Sequence, residues 1–452
     1  MNSPSPNQLY DILGIGIGPF NLGLATLSES VASLTTVFFE QAPEFSWHPG
    51  MMLKGAKLQV PYLADLVTLV DPCSRFSFVN YLKHIGRLFH FCIKEDLFIS
   101  RHEYNQYCRW VAAQLPSCQF GYRVERVEHD ADLSLYAVTV RALATGQAAT
   151  YHARHVVLGV GSRPALPAFC AALPPERVMH SADYLRQKAS LPAGARISII
   201  GSGQSAAEIF YDLLTDSTAQ GYELAWFSRA DRFYPMEYSK LTLEFTSPDY
   251  VDYFYSLPPA RKKQVLAGQD SFYKGINFEL INAIYDELYE RSSLGEQLAV
   301  HIQPACELTA IAATPAGLAL TLHQHQQGCT FAHAADVAIL GTGYQWSAPA
   351  FLEPVREHIC WDEQGRFDVA RNYAIDQSGR GIFVQNAELH THGFVAPDLG
   401  MGPYRNAWIL NEILGTEHFQ LDRRIAFQTF GAPAPEPTLA AEPAQPLAHA
   451  AR

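Results

Sequence analysis

The sequence predicts an α/β fold of two Rossmann-like units, one interrupted by the other. Three observations carry this. An apolar strand runs into a glycine-rich turn and a helix at residues 10–27, the same order returns at 196–208, and a third apolar strand ends in a glycine turn at 336–344. Length agrees, since 452 residues make two or three domains at roughly 150 residues each. With 48% hydrophobic and 17% charged residues there is ample material for a large core, and disorder is excluded for the bulk of the chain.

In the first unit, residues 10–18 read as a short buried strand entering a turn through Gly14, Gly16 and Gly18, with Pro19 in the first turn of the next helix and Asn21 just beyond. Such glycines let the backbone turn tightly and approach a pyrophosphate, which rests on the helix N-terminus. A glycine triplet alone is weak. It is reinforced by the strand at 36–40, which ends in Glu40 at the spacing of a ribose-binding carboxylate. An acid there repels a 2′-phosphate, so this site suits FAD or NAD.

In the second unit, the strand at 196–200 leads into Gly201, Gly203, Gln204 and Ser205 at the start of a helix. The following strand ends in Ser228, Arg229 and then Arg232, groups suited to a 2′-phosphate, so this site prefers NADPH. A competing reading sits on the same residues. Gly203-Gln-Ser205-Ala-Ala207 resembles a nucleophile elbow with Ala in the last place, and His301, His323 and His325 lie downstream. A dinucleotide fold upstream has no role in such hydrolysis, which disfavours it.

The third landmark, 336–344 with Gly341 and Tyr344, is expected to return the chain to the first sheet beside 156–162. The expected division is an FAD domain over 8–193 and 336–431, an NADPH domain over 194–335, and a flexible Pro/Ala-rich tail over 432–452. A flavoprotein using NADPH can be a disulfide reductase, a dehydrogenase or a monooxygenase. The eight cysteines form no C-x-x-C, so neither a redox dithiol nor a zinc ribbon is legible. They read as buried free thiols of a reducing compartment. A dehydrogenase or an oxygen-using enzyme remains.

Net charge is −12, which argues against nucleic-acid and anionic-membrane partners. The N-terminal stretch has no basic region, so no signal peptide is expected. Residues 9–27 contain Asp11, four glycines, Pro19 and Asn21, which suits a strand–turn–helix better than a membrane span. A cytoplasmic protein is expected. His390-Thr-His392 lacks a third ligand at recognisable spacing, so no metal is expected.

Further segments carry a family resemblance over residues 8–430: Trp47-His48-Pro-Gly-Met-Met-Leu, Leu58-Gln59-Val-Pro-Tyr-Leu-Ala-Asp-Leu, Asp71-Pro-Cys-Ser-Arg-Phe, Tyr107-Cys-Arg-Trp110, Leu340-Gly-Thr-Gly-Tyr344 and His392-Gly-Phe-Val-Ala-Pro-Asp-Leu399-Gly-Met-Gly402. Together they resemble the class B flavin N-hydroxylating monooxygenases of siderophore biosynthesis, which hydroxylate the terminal amine of ornithine, lysine or diamines. The Phe-x-Gly that precedes a histidine in the Baeyer–Villiger branch is missing before His180-Ser-Ala-Asp-Tyr184. The resemblance implies that Trp47, His48 and Gln59 line the flavin, that Arg101 stands by the flavin and nicotinamide rings, and that Gln204 and Ser205 touch the NADPH phosphates. Gly341, Tyr344 and Leu399 belong to the cofactor motifs. The implied chemistry is reduction of FAD by NADPH, addition of O2 to give a C4a-hydroperoxide, and attack of the substrate amine on its distal oxygen, with NADP⁺ retained as a shield. A homo-oligomer, dimer or tetramer, is also expected.

One departure speaks about substrate. Amino-acid hydroxylases of the resembled family carry Phe-Leu-Lys-Asp-Leu, whose lysine pairs with the substrate α-carboxylate; this chain has Tyr62-Leu-Ala64-Asp65-Leu66. A methyl group offers a buried carboxylate no counter-charge. Met236, Glu237, Tyr273 and Lys274 stand near the places of the family's asparagines, within a helical substrate segment expected at 233–290. The substrate predicted is therefore a diamine, putrescine or cadaverine. Glu237, Glu244 and the aromatic run from 233 to 255 are candidates for the distal ammonium, with Asp65 the poorer one. Two alternatives stay open: a lysine or ornithine N-hydroxylase anchored elsewhere, and a non-oxygenating flavin redox protein. The acidic excess would attract a diamine dication only weakly, since NADPH is an anion.

Overall fold

The structure, a computed structural model, describes residues 4–433. The tail assigned to 432–452 lies, from 434 onward, outside the described residues. The fold is α/β and rests on two sheets whose parallel strands carry the glycine turns at their C-terminal ends. In the seven-stranded sheet, Leu9–Ile15 pairs in parallel with Thr36–Glu40 and with Ala148–Leu158. Cys118–Phe120 extends one edge, and the antiparallel Leu135–Ala142 and Tyr122–Asp130 extend the other. The second sheet has five strands, all parallel, in the order Val300–Gln303, Glu223–Phe227, Arg196–Ile200, Val337–Leu340, Val178–His180.

The strand order corrects one expectation. Val337–Leu340, read as the return to the first sheet, pairs instead with Arg196–Ile200 and Val178–His180 in the second. The chain rejoins the first sheet later, at Ile382–Val384 beside Val156–Leu158. The boundaries at 193 and 335 are therefore displaced, because strands on either side of them belong to the five-stranded sheet. The physical reason is that Val337–Leu340 is buried at every position, and an all-apolar strand fits the middle of either sheet equally well. An antiparallel three-stranded sheet, Cys306–Thr314, Gly317–Gln324 and Cys329–Ala335, covers one face of the second sheet, packing Leu318, Leu320 and Leu322 against Phe227, Ala338 and Leu340.

Helices between 240 and 293 bridge the two units. Pro248–Ser256 buries Tyr250, Val251 and Phe254 against Phe394, Val395 and Met401, beside the first sheet's helix Met401–Leu414. Phe278–Ser293 lays Leu280, Ile281 and Ile284 on the second sheet's helix Gln204–Gln220. Whatever binds between the units is thus walled by one segment attached to both. The cysteines correct a second expectation: Cys73, Cys92 and Cys329 are exposed rather than buried. Among the described residues no helix is long and apolar enough to cross a membrane.

Candidate active site

The first glycine turn is shaped by close approaches. A Cβ on Gly14 would lie 2.0 Å from the Phe38 ring, and one on Gly16, whose φ is +86°, would lie 2.5 Å from the Gly159 carbonyl oxygen. Gly18 faces open space and precedes Pro19–Glu29 without a side-chain cap, so the helix N-terminus is free to meet an anion. Asn21, fully buried, does not face that space. Its Nδ2 donates to the Gly16 carbonyl at 2.9 Å and its Oδ1 accepts from Gln385 Nε2 at 2.7 Å, which ties the turn to the strand Ile382–Val384. The Glu40 carboxylate accepts from the N–H groups of Ile17 (3.0 Å) and Ala42 (2.8 Å), so it stands at the mouth of the turn.

The same region holds buried polar atoms with no partner: Gln385 Oε1, Asn406 Oδ1, and Nε and Nη2 of Arg405. Arg405 lies 4.3 Å over the Phe20 ring and pairs with the fully buried Glu388, while Asn406 Nδ2 donates to the Phe20 carbonyl at 3.0 Å. Uncompensated donors and acceptors of this kind are rare in a finished interior. Around an open helix N-terminus they fit a bound polar group such as the flavin nucleotide.

Residues 56–62 run along the start of the helix Arg101–Ala112. Leu58 N–H donates to Ile99 O (2.9 Å), Tyr62 N–H to Leu97 O (2.8 Å) and Arg101 N–H to Ala56 O (2.9 Å). This brings Gln59 and Arg101 to one cleft. Trp47 packs on Tyr104 at 5.3 Å and on His48 at 5.0 Å, and Tyr344 meets His48 at 6.0 Å and His180 at 5.2 Å. His48 is exposed to solvent, and enclosure on its protein side, then the Arg101 guanidinium, hold it below the usual histidine value, so it is neutral near pH 7. Gln59 Nε2 points to Met236 Sδ (3.1 Å) and the Gly275 carbonyl (3.3 Å).

In the second glycine turn, a Cβ on Gly201 would lie 2.4 Å from Gly341 O, and one on Gly341 would lie 2.9 Å from the Ala206 Cβ, so these glycines allow the turn and the helix to meet. Gly203 caps the helix Gln204–Gln220 with extended backbone and no side-chain hydrogen bond, and Ser205 sits half-buried in its first turn. Ser228, expected at the 2′-phosphate, is fully buried, its hydroxyl turned to Ala230 O at 3.4 Å. Arg229 and Arg232 remain on the surface: Arg229 stands 3.9 Å from Glu307, and Arg232 lies 4.5 Å over the Tyr234 ring.

The substrate candidates divide. Met236 sits with Gln59 and Gly275, and Lys274 pairs with Asp270 (2.9 Å) beside Tyr273, which stacks on Phe394. Glu237 is exposed and accepts from Ser239 N–H at 3.0 Å. Glu244 is elsewhere engaged, accepting from the N–H groups of Phe427 (2.9 Å) and Gln428 (3.0 Å). Asp65 is a scaffold group, accepting from the N–H groups of Val67, Thr68 and Phe78. Ala64 is buried beside Gly400, and Leu399, the neighbour of Gly400 in sequence, is half-buried.

Three residues here were not singled out from sequence: Asp398, Glu208 and Asn277. Asp398 stands by Ala64 across Gly400, and burial raises its carboxyl above the usual range despite the Gly400 N–H that it accepts at 2.7 Å. The only signal for it was an acid inside the motif at 392–402. Glu208 takes both guanidinium nitrogens of Arg101 at 2.8 Å. The hydrolase reading finds no geometry: His301, His323 and His325 bond Gln303, Thr330 and Glu307, and none reaches Ser205. His390 and His392 face the main-chain carbonyls of Phe367 and Arg371.

Residues 8–346 match the family model described as L-lysine 6-monooxygenase/L-ornithine 5-monooxygenase. The putrescine N-hydroxylase of Shewanella oneidensis is 49% identical over 425 residues, covering 93% of this chain and 84% of that protein. The alcaligin biosynthesis enzyme of Bordetella pertussis is 46% identical over 431 residues, covering 94% of this chain and 93% of its own. Among solved structures, the FAD-bound cadaverine monooxygenase of the desferrioxamine pathway of Erwinia amylovora superposes with a TM-score of 0.92 at 49% identity, over 95% of this chain and 100% of that one.

Proposed function

The chain belongs to the L-lysine 6-monooxygenase/L-ornithine 5-monooxygenase family, and on that premise we propose that it N-hydroxylates one amine of an aliphatic diamine, putrescine or cadaverine. It is an oxidoreductase that uses FAD, NADPH and O2, and its product feeds the assembly of a hydroxamate siderophore. The observation that carries the substrate is Ala64: a methyl group stands where the amino-acid hydroxylases place the ammonium that meets an α-carboxylate. A diamine has no carboxylate and does not miss it.

FAD, when bound, supplies the two-electron reduction by NADPH and the activation of O2 that places one oxygen atom on the amine. The chain's residues do the rest. Gly14, Gly16, Gly18 and the helix N-terminus at Pro19 receive the FAD pyrophosphate, and Glu40 its ribose. Gly201, Gly203, Gln204 and Ser205 receive the NADPH pyrophosphate, with Arg229 and Arg232 on the 2′-phosphate. Trp47, His48, Gln59 and Tyr344 enclose the rings and keep water from them, and Arg101 is the cation beside them. Asp398 is the group suited to the distal ammonium. An ammonium beside it favours the ionised carboxylate that burial alone disfavours, and the other amine reacts in its neutral form.

The deciding experiment is a panel of diamines of three to six carbons, with lysine and ornithine alongside, measured as hydroxylated product rather than as NADPH loss. Preferred hydroxylation of lysine or ornithine would sink the Ala64 argument; reduction by NADPH with no hydroxylated product from any amine would sink the monooxygenase. The reading extends to a cytoplasmic homo-oligomer, checked by cell fractionation and light scattering.

A further inference from the structure

Arg101 and Glu208 form one of the two most buried ion pairs among the described residues, with side chains 13% and 5% exposed, and it joins the two nucleotide-binding units. Arg101 opens the helix Arg101–Ala112 beside the first sheet, and Glu208 lies in the second turn of the helix Gln204–Gln220. The contact is a two-pronged fork, both distances 2.8 Å, with the Met51 carbonyl accepting from the same guanidinium at 3.1 Å. Glu208 continues the chain of bonds. Gln204 Nε2 donates to its Oε1 at 2.8 Å, and Gln204 Oε1 accepts from the Asn277 N–H, also at 2.8 Å. Asn277 in turn caps the helix Phe278–Ser293, two residues after the Gly275 carbonyl that faces Gln59.

A carboxylate near this helix N-terminus is at first sight misplaced, because the same end is to receive a pyrophosphate, and like charges repel. Arg101 cancels that charge. The pair costs desolvation on both sides, and burial pushes the Glu208 carboxyl up while Arg101 draws it back. Such an arrangement is retained where it fixes geometry, and here it fixes two groups at once: the guanidinium beside the ring site and the carboxamide beside the phosphate site.

We propose that Glu208 is a positioning residue for NADPH, holding Arg101 and Gln204 in register so that nucleotide, flavin and the substrate segment at Asn277 are aligned together. This rests on the function proposed above. Charge alone predicts the opposite sign: replacing Glu208 by a neutral residue removes a negative charge from the phosphate site and should tighten NADP⁺.

The test is a double-mutant cycle on the FAD-loaded enzyme with Glu208→Gln and Arg101→Lys, read by calorimetric Kd for NADP⁺ and by anaerobic flavin reduction in stopped flow. Each single variant is expected to raise Kd about tenfold, the worth of one charge-assisted fork, and the double variant to be no worse than the poorer single one. Glu208→Asp, which keeps the charge and spoils the reach, is expected to weaken NADP⁺ as well and serves if Glu208→Gln does not fold. Tighter or unchanged NADP⁺ binding in Glu208→Gln, or additive losses in the cycle, overturns the proposal. An unaltered enzyme that neither binds NADP⁺ nor is reduced by NADPH would instead overturn the function on which it rests.

Discussion

Asp398 and Ala64 flank the same glycine: a Cβ on Gly400 would lie 3.0 Å from Asp398 Oδ1 and 3.6 Å from the Ala64 methyl. A carboxylate and a methyl so placed favour an ammonium and offer nothing to a second carboxylate. Asp398→Asn keeps the shape and removes the charge. It is expected to raise the KM for putrescine and cadaverine at least tenfold, about 1.5 kcal/mol or more for a desolvated charge-assisted contact, while flavin reduction by NADPH stays within about twofold. Ala64→Lys should produce the same KM increase, because the introduced ammonium competes for Asp398. Steady-state hydroxylamine formation checks both, and an unchanged KM in Asp398→Asn would remove Asp398 from the site.

Arg229 and Arg232 are the two cations of the strand end at 228–232 and both are exposed, whereas Ser228 is buried. Arg229→Ala is expected to raise the KM for NADPH about tenfold and to leave that for NADH nearly unchanged. Comparing the two coenzymes separates a lost phosphate contact from general damage, which would weaken both.

Much of this was legible in the sequence because backbone geometry demands it. Gly14, Gly16, Gly201 and Gly341 stand where a Cβ would collide with neighbouring ring, backbone or side-chain atoms, so a glycine motif reports a close approach directly. The identity of the Val337–Leu340 strand was not legible, since a fully buried strand has no polar face to mark its sheet. Glu244 misled for a different reason. It lies beside Phe245 in an aromatic-rich stretch, but its carboxylate is satisfied by N–H groups more than 180 residues further on, and no local pattern encodes a partner that distant. Asp398 lies inside a glycine-rich motif, where nothing local sets its carboxylate apart.

Glu244 and Phe430 together fasten the segment at 425–430 over the helices that begin at Lys240. Phe430 packs on Phe245 at 5.0 Å and on Tyr250 at 5.2 Å. Phe430→Ala is expected to cost about 2 kcal/mol, less than a fully buried phenylalanine because it is half-exposed. Denaturant unfolding of the FAD-loaded enzyme measures it. Glu244→Gln should destabilise in the same direction yet leave the diamine KM within about twofold, and a large KM effect would restore Glu244 to the substrate site.

His392 contributes to the pH dependence of the fold. It is fully enclosed, stacks on Tyr373 at 4.6 Å, and is pushed by burial, then by Arg371, from 6.5 down to about 3. In the unfolded chain the same imidazole takes up its proton near its ordinary value. Between those two values the unfolded state therefore binds more protons than the folded one, and stability rises with pH across that window. The contribution is complete above the unfolded pKa and is lost progressively as pH falls towards the folded one. Hence the enzyme should lose stability on acidification from about pH 7 to about pH 4, and His392→Asn, though less stable at neutral pH, should show a flatter acid limb. Melting temperature against pH for the two proteins checks the slope; parallel curves would mean that His392 does not carry it.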